Sequence, residues 1–177
     1  MKAYTNVNLV TCDSAFHVYR DGLLVVEDDR IAYCGPYDEN WLGKCSEIVD
    51  YEGAWIMPGL VNCHTHSAMT LLRGIRDDSN LHEWLEDYIW PAESRFTADL
   101  TTQAVQLALA EMLLSGTTTF NDMYNPQGVD IDRIYQAVRQ SSMRCYFSPT
   151  LFSSEVETAE ETLARTRAII EKILSYN

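Results

Sequence analysis

Hydrophobic and polar positions follow two different patterns along this chain, and the change falls near residue 57. Up to that point short apolar runs alternate with polar turn residues, which is typical of short strands. We expect strands at 7–10, 23–26, 30–33, 47–50 and 54–56. Turns are expected at Asp21-Gly22 and Asp28-Asp29, with Gly35-Pro36 closing the second hairpin. Residues 1–57 therefore predict a small antiparallel β unit.

From residue 58 onward, predicted strands alternate with predicted helices. Apolar or β-branched runs predict strands from Leu60, at 116–120 and at 144–147. A helix is expected from Thr97, a suitable N-cap residue, to about Ser115, with Gly116 just past its end. This alternation predicts an α/β fold with a parallel sheet covered by helices, either a doubly wound sheet or a (β/α) barrel.

Two more helices are predicted by apolar residues at helical spacing. The first follows Asp130, and its apolar face would carry Ile131, Ile134, Tyr135 and Val138. The second begins with a capping box formed by Ser154 and Glu157. Its apolar stripe would consist of Val156, Leu163, Ile170 and Leu174.

The junction between the two patterns carries a candidate metal site. Leu60-Val61 begins an apolar strand that ends in His64-Thr65-His66. Because side chains alternate along a strand, both imidazoles project from the same face and can bind one divalent metal. The alternative is a pair of surface histidines beside a loop. Alternation points Cys63 away from the pair, and we expect it to be a buried apolar residue.

Charge and cysteine content exclude several classes of protein. The net charge of −13 disfavours nucleic-acid partners, which are bound through lysine and arginine. The N-terminus lacks the apolar region of a signal peptide, and no apolar run approaches the ~20 residues of a membrane span. Five scattered cysteines indicate free thiols rather than a disulfide framework. These features predict a cytoplasmic protein without a membrane or nucleic-acid partner.

Residues 58–66 resemble the opening barrel strand of the amidohydrolase superfamily. Residues 67–74, Trp84-Leu85 and 90–93 are similar to its aminohydrolase branch, which includes S-adenosylhomocysteine/methylthioadenosine deaminases and triazine hydrolases. The resemblance implies that residues 58–177 form the first three β/α units of a TIM-type (β/α)8 barrel. It also implies that residues 1–57 are part of a β-sandwich. Since a closed barrel typically takes ~250 residues, we expect this chain to be the N-terminal part of a larger enzyme.

The same resemblance implies the chemistry. His64 and His66 would be two ligands of one divalent metal, with zinc favoured and iron or manganese as alternatives. The remaining ligands and the residues that transfer protons would come from later strands, so none of the catalytic residues is expected within residues 1–177. We therefore expect this chain alone to bind metal poorly and to be inactive. The full-length enzyme is expected to be a homo-oligomer.

Residues 67–96 are expected to form a lid over a small heterocyclic substrate. In the resemblance, Trp84 corresponds to the tryptophan that closes over the base, and Glu93 to the glutamate that accepts hydrogen bonds from ribose hydroxyls. Most other charges of this stretch are interpreted as a solvated surface. Asn121, Asp122 and Tyr124 end the second strand, where they either border the pocket or satisfy loop backbone groups; we prefer the second interpretation.

Several functions remain open from the sequence. The favoured one is hydrolytic deamination of an adenosine-type ligand. The nucleoside deaminases that the chain resembles carry an arginine just after the third barrel strand, and its absence from residues 147–151 argues against specificity for adenosylhomocysteine. A triazine hydrolase or a guanine or cytosine deaminase would use the same metal chemistry. Hydantoinase-like enzymes typically bridge two metals with a carbamylated lysine. No lysine lies between Lys44 and Lys172, so the first three strands offer no such bridge, although a later strand could supply one. A non-catalytic binding or assembly module is the alternative from a different class.

Overall fold

A computed structural model describes residues 1–124, 129–151 and 158–176. The chain divides into two compact units, Met1–Pro58 and Gly59–Asn177. The first contains five strands, and the second contains three strands with helices between them. In the part of the chain that the structure describes, none of the helices has both the length and the apolar character needed to span a membrane.

The first unit is a mixed sheet of strands β1 (Lys2–Val10), β2 (Val18–Glu27), β3 (Arg30–Pro36), β4 (Glu47–Asp50) and β5 (Trp55–Ile56). The strand order is β3-β2-β1-β4, and β5 also pairs with β1. Apolar side chains cover both faces of the sheet. Ala3, Leu23 and Val25 form one cluster, and Val7, Leu9 and Leu24 form the other.

Two predictions for this unit are wrong. Strands β4 and β5 run parallel to β1, so the sheet is not purely antiparallel. Parallel pairing needs a crossover connection, and a 3₁₀ helix at Glu39–Lys44 lies in the connection between β3 and β4. The expected turn at Asp21-Gly22 is instead an irregular position inside β2, where Asp21 takes φ 50°. The turn at Asp28-Asp29 is confirmed, since Glu27 pairs with Arg30 across it.

The second unit is built on three parallel strands in the order β6-β7-β8. They span Leu60–Thr65, Thr117–Tyr124 and Arg144–Pro149. The main helices are α3 (Ala98–Leu114), α4 (Ile131–Ser141) and α5 (Ala159–Leu174), and two short ones, α1 (Leu81–Glu83) and α2 (Trp90–Glu93), precede α3. The core joins one face of α3 to β7 and α4 through Val105, Ala108, Leu109, Met112, Phe120, Ile134, Ala137 and Met143.

The helix boundaries follow local signals. The Thr97 hydroxyl accepts a hydrogen bond from the Leu100 N–H at 3.2 Å, and Gly116 takes φ 84° just past the end of α3, as predicted. The helix expected after Asp130 is also confirmed, with Ile131 and Ile134 buried. A capping box precedes α5, but it is formed by Thr158 and Glu161.

The prediction for the last helix is only partly tested. Ser154, Val156 and Glu157 lie outside the described residues. The rest of the predicted stripe is exposed, with 42%, 43% and 63% of Leu163, Ile170 and Leu174 accessible to solvent. The buried side chains of α5 are instead Thr162 and Thr166. The apolar residues at helical spacing therefore form an exposed stripe, since no described residue of this unit buries them.

Candidate metal centre and adjoining cleft

The carboxyl ends of β6, β7 and β8 meet at one edge of the second unit because the strands are parallel. His64 lies near the end of β6, and His66 directly follows it. Asp122 and Met123 lie near the end of β7. The side chain of Tyr124, also considered from the sequence, lies outside the described part of the chain.

The two histidines face each other through their Nε2 atoms, which are 3.2 Å apart. Their ring centroids are 5.0 Å apart and the ring planes meet at 77°. The Nδ1 of His66 lies 3.2 Å from the Met123 carbonyl oxygen, a position for an Nδ1–H donor. That tautomer leaves a lone pair on Nε2, the form in which imidazole binds a metal.

This geometry fits a zinc-like ion. Two nitrogen ligands, each bound at about 2.0–2.1 Å in a tetrahedral site, lie roughly 3.3 Å from each other. The observed separation of 3.2 Å agrees with that value. Within residues 1–124, 129–151 and 158–176, no group of three or more His, Cys, Asp or Glu side chains is placed to hold a metal. The described residues therefore offer half of a four-coordinate site.

Asp122 is a buried carboxylate, only 1% exposed, bonded to the residue that follows His66. Its oxygens accept hydrogen bonds from the Ser67 N–H at 2.8 Å and the Ser67 hydroxyl at 2.5 Å. Burial raises the pKa of Asp122 to about 6, although the bonds from Ser67 act in the opposite direction. Burial, and then the nearby charge of Asp122, raise the pKa of the Cys145 thiol to about 12, so this thiol stays neutral.

Asn121 connects the three strands. Its amide donates to the Cys63 carbonyl at 3.4 Å, and its side-chain oxygen accepts from the Ser148 hydroxyl at 2.7 Å. Together with the hydrogen bond that the Ser67 N–H donates to Asp122, this supports the interpretation in which the Asn121 and Asp122 side chains satisfy neighbouring backbone groups. Cys63, by contrast, is exposed rather than buried. The reason is that β6 is the edge strand of the described sheet, and Leu60 and Val61, on its two faces, are exposed as well.

A cleft of about 350 Å³ opens beside His66. Trp84, half-buried at the start of a π-helical turn (Trp84–Ile89), shares this cleft with His66. The other lining residues come from the segment after the histidines: Met69, Thr70, Leu72, Arg73, Gly74, Ile75, Arg76 and Asp77. The cleft thus combines an aromatic and aliphatic wall with charged groups at one metal-ligand candidate, a composition typical of small-molecule sites.

Two arginines of this lining are held by specific partners. Arg73 makes a bidentate pair with Glu111 on α3, with distances of 3.2 and 2.5 Å. The Arg76 guanidinium lies over the Tyr88 ring, 5.5 Å from its centroid, and its Nε donates to the Ser79 hydroxyl at 2.9 Å. Both side chains are exposed, in agreement with the solvated surface expected for most charges of this stretch.

Glu93 is not brought to this cleft. It ends α2, is partly buried, and burial raises its pKa. It is not among the described residues that line the cleft. Of the remaining histidines, His17 pairs with Asp13 at 2.7 Å, and His82 is exposed on α1. The structure therefore joins His64, His66 and Trp84 into one region, and Glu93 is not among the described residues of that region.

Sequence reasoning missed two residues that contact the histidine segment, Ser67 and Met123. Met123 contributes a backbone carbonyl, which any residue carries, so its side-chain type holds no signal. Ser67 directly follows the His-x-His motif, and a small hydroxyl residue at a strand end was a usable signal for a backbone-anchoring bond.

Comparison with known proteins places this geometry in context. The sequence profile of the amidohydrolase family matches residues 55–176. A 5-methylthioadenosine/S-adenosylhomocysteine deaminase of Bacillus cytotoxicus is 47% identical over 151 residues, which cover 85% of this chain and 35% of that protein. The deaminase of the same name from Bacillus cereus (strain AH820) is 44% identical over 160 residues, covering 89% and 36%. The chain thus spans about a third of the length of these relatives.

Solved structures show the same fold. A zinc complex of an atrazine chlorohydrolase from Arthrobacter aurescens matches with a TM-score of 0.81 at 19% identity, covering 97% of this chain and 43% of that one. An adenosine deaminase from Xanthomonas campestris with bound zinc matches with a TM-score of 0.76 at 28% identity, covering 97% and 39%. A guanine deaminase from C. acetobutylicum with bound guanine has a TM-score of 0.79 at 22% identity, covering 97% and 42%.

Proposed function

Because the chain belongs to the amidohydrolase family, we propose that it takes part in a metal-dependent aminohydrolase that removes the exocyclic amine of an N-heterocycle as ammonia. The observation that carries this proposal is the pair of Nε2 atoms, 3.2 Å apart at the end of β6. The relatives at 44–47% identity, named for deamination of methylthioadenosine and adenosylhomocysteine, support an adenosine-type substrate.

In the proposed site His64 and His66 would hold one divalent metal ion, with zinc favoured because it suits the two imidazole nitrogens and their separation of 3.2 Å. When bound, such an ion would lower the pKa of a water molecule from 15.7 to about 7. It would thereby supply hydroxide as the nucleophile at neutral pH. His66 keeps its Nε2 available because its Nδ1 is engaged by the Met123 carbonyl. The further ligands and the proton-transfer residues are proposed to come from outside residues 1–177.

Trp84 and Glu93 are the proposed substrate contacts. Trp84 would pack against the flat heterocycle and exclude water, since it shares the cleft with His66. Glu93 follows the turn that carries Trp84, and its carboxylate would accept hydrogen bonds from a sugar diol. We also propose that the domain boundary falls at residues 57/58, between part of a β-sandwich and part of a TIM-type barrel. The likeness to solved structures over 97% of the chain supports this fold.

A cytoplasmic location and a homo-oligomeric state complete the proposal. The five cysteines, Cys12, Cys34, Cys45, Cys63 and Cys145, are free thiols, which suits a reducing compartment. A small heterocycle is the proposed binding partner, supported by the size of the cleft, about 350 Å³.

The decisive experiment replaces both histidines in the protein at its native length. We expect H64A/H66A to lose bound zinc and to lower ammonia release from methylthioadenosine by at least ~10³-fold, because the nucleophile is no longer generated. The matched control is His82→Ala, which removes an exposed imidazole that does not line the cleft. Zinc content by atomic emission and ammonia by a coupled assay give the two readouts. Unchanged zinc and ammonia in the double variant would refute the proposal.

Substrate choice is tested with the same protein. Methylthioadenosine, adenosylhomocysteine, guanine and a chlorinated triazine are compared, and we expect the adenosine-type ligands to react fastest. Glu93→Gln should lower kcat/KM for methylthioadenosine about 10- to 100-fold, since a hydrogen bond to a charged group is lost. It should leave guanine, which has no sugar, unaffected. Faster triazine or guanine turnover would favour those hydrolases. Ammonia from none of the four substrates, together with no bound metal in the purified protein, would favour a non-catalytic module.

A further inference from the structure

We infer that Asp122 is a positioning residue for the candidate metal ligand His66, acting through Ser67 and the Met123 carbonyl. This inference rests on the proposed function, because it concerns how one proposed ligand is held. Among the described residues no hydrogen bond joins Asp122 to His66. Asp122 bonds to Ser67, the residue that directly follows His66 and lies 55 positions before Asp122 in the sequence.

The first element of this support fixes the backbone next to His66. Both hydrogen-bond donors of Ser67, its N–H and its hydroxyl, bond to the two oxygens of the Asp122 carboxylate at 2.8 and 2.5 Å. Both residues are 1% exposed, so water does not compete for these bonds. A two-point attachment to a charged acceptor defines direction as well as distance. The chain is thereby held where β6 ends and a 3₁₀ helix, Ser67–Leu72, begins.

The second element fixes the ring. The Met123 carbonyl, in the residue after Asp122, lies 3.2 Å from His66 Nδ1. Consecutive residues of β7 therefore hold the backbone beside His66 and the imidazole of His66. A metal-binding histidine is usually oriented by such a bond at its other ring nitrogen, and loss of such support typically costs 10–100-fold in metal affinity. The arrangement directs His66 Nε2 at His64 Nε2.

A purely structural role for Asp122 makes a different prediction. If the carboxylate only joined β7 to the segment after β6, its removal would lower stability without changing the affinity of the folded protein for zinc. The positioning role requires that zinc affinity falls more than the loss of stability explains. Zinc affinity and stability must therefore be measured on the same variants.

The test uses the native-length protein with zinc alone as the probe. Asp122→Asn keeps the size of the side chain but removes one acceptor and the charge, and Ser67→Ala removes the hydroxyl while keeping the N–H bond. We expect D122N to weaken zinc binding 10- to 100-fold and S67A by a smaller factor. Ile134→Val, in the core at 2% exposure, is the matched control: it should lower stability without changing zinc affinity. Chelator competition gives the affinity and thermal unfolding gives Tm.

A spectroscopic readout reports the ring directly. In the metal-free protein, ¹⁵N chemical shifts of the His66 imidazole should show the Nδ1–H tautomer in the wild type and a mixture of tautomers in D122N. Wild-type zinc affinity in D122N, an equal loss in I134V at matched Tm, or no zinc binding by the wild type would overturn the inference. Because no substrate is used, a protein that binds zinc but releases no ammonia refutes the proposed function and leaves the role of Asp122 to be decided by zinc affinity.

Discussion

The two units of this chain bend their backbones in different ways. In Met1–Pro58 six non-glycine residues take left-handed φ angles between 50° and 53°: Asn6, Cys12, Phe16, Asp21, Asp28 and Glu52. In the described part of Gly59–Asn177, Ser142 is the non-glycine residue with a left-handed φ angle, 59°. Gly74 and Gly116 take the other positive φ angles there. Left-handed backbone is unfavourable for most side chains but is tolerated by Asn and Asp, which account for three of the six exposed positions in the first unit. The second unit uses glycine and one helix-cap residue at its positive φ angles.

The two units also differ in the surroundings of one carboxylate each, and therefore in its pKa. Asp13 in the first unit is exposed, and hydrogen bonds from His17 hold its pKa at about 2. Asp122 in the second unit is buried, and burial raises its pKa to about 6. One carboxylate is stabilised in its charged form by a local turn, and the other is confined between β7 and the segment after β6. Three predictions test such differences between the two units.

The largest effect is expected from Asp122. Its folded pKa lies above the ordinary value of 3.8, so folding favours the neutral form. The stabilisation is therefore complete below about pH 4 and is lost as pH rises through 6. A rise from 3.8 to about 6, at about 1.4 kcal/mol for each pKa unit, corresponds to about 3 kcal/mol. Urea unfolding of metal-free protein between pH 4 and 7 measures it, with D122N as the reference that does not titrate. Parallel pH profiles for the two proteins would contradict the prediction.

A smaller effect is expected from Gly59, where the chain enters β6. A Cβ at this position would overlap the Thr118 side chain and lie 2.7 Å from its Cβ. Gly59→Ala should therefore cost about 1–3 kcal/mol, as overpacking usually does. At Gly43, in the first unit, an added methyl group would meet no atom within 4 Å and the backbone φ is not positive, so Gly43→Ala should be nearly neutral. Chemical denaturation compares the two, and equal effects would remove this distinction between the units.

The smallest effect is expected from Asp13. Because its folded pKa of about 2 lies below the ordinary 3.8, its contribution is present above about pH 4 and is lost as pH falls towards 2. Asp13→Asn should remove this acid-dependent part and leave stability at pH 7 only slightly reduced, since the pair with His17 is exposed. NMR titration of the Asp13 carboxyl carbon gives the pKa directly. A value near 4 would show that the turn does not favour the charged form.

Local signals predicted much of the second unit. Thr97 and Gly116 marked the ends of α3, and the residues after Asp130 marked α4, because caps and apolar spacing act within a few residues. In the first unit, the directions of β4 and β5 and the irregular strand at Asp21-Gly22 were missed. Strand direction depends on which distant edge accepts the strand, and an Asp-Gly pair is compatible both with a turn and with a left-handed residue inside a strand.

At the candidate site, too, some features followed from the sequence and others only from the tertiary structure. Strand alternation in the sequence alone placed His64 and His66 on one face, because that consequence needs only an extended backbone. Trp84 reached the cleft beside His66 only through folding of the segment between them, and Cys63 is exposed because β6 lies at the sheet edge. Parallel pairing of β6 with β7 brings the Met123 carbonyl to the His66 ring and the Asp122 carboxylate to Ser67. The sequence by itself determined which two imidazoles share one face, and the tertiary structure decided which groups hold them there, because hydrogen bonds between distant segments form only when the strands pair.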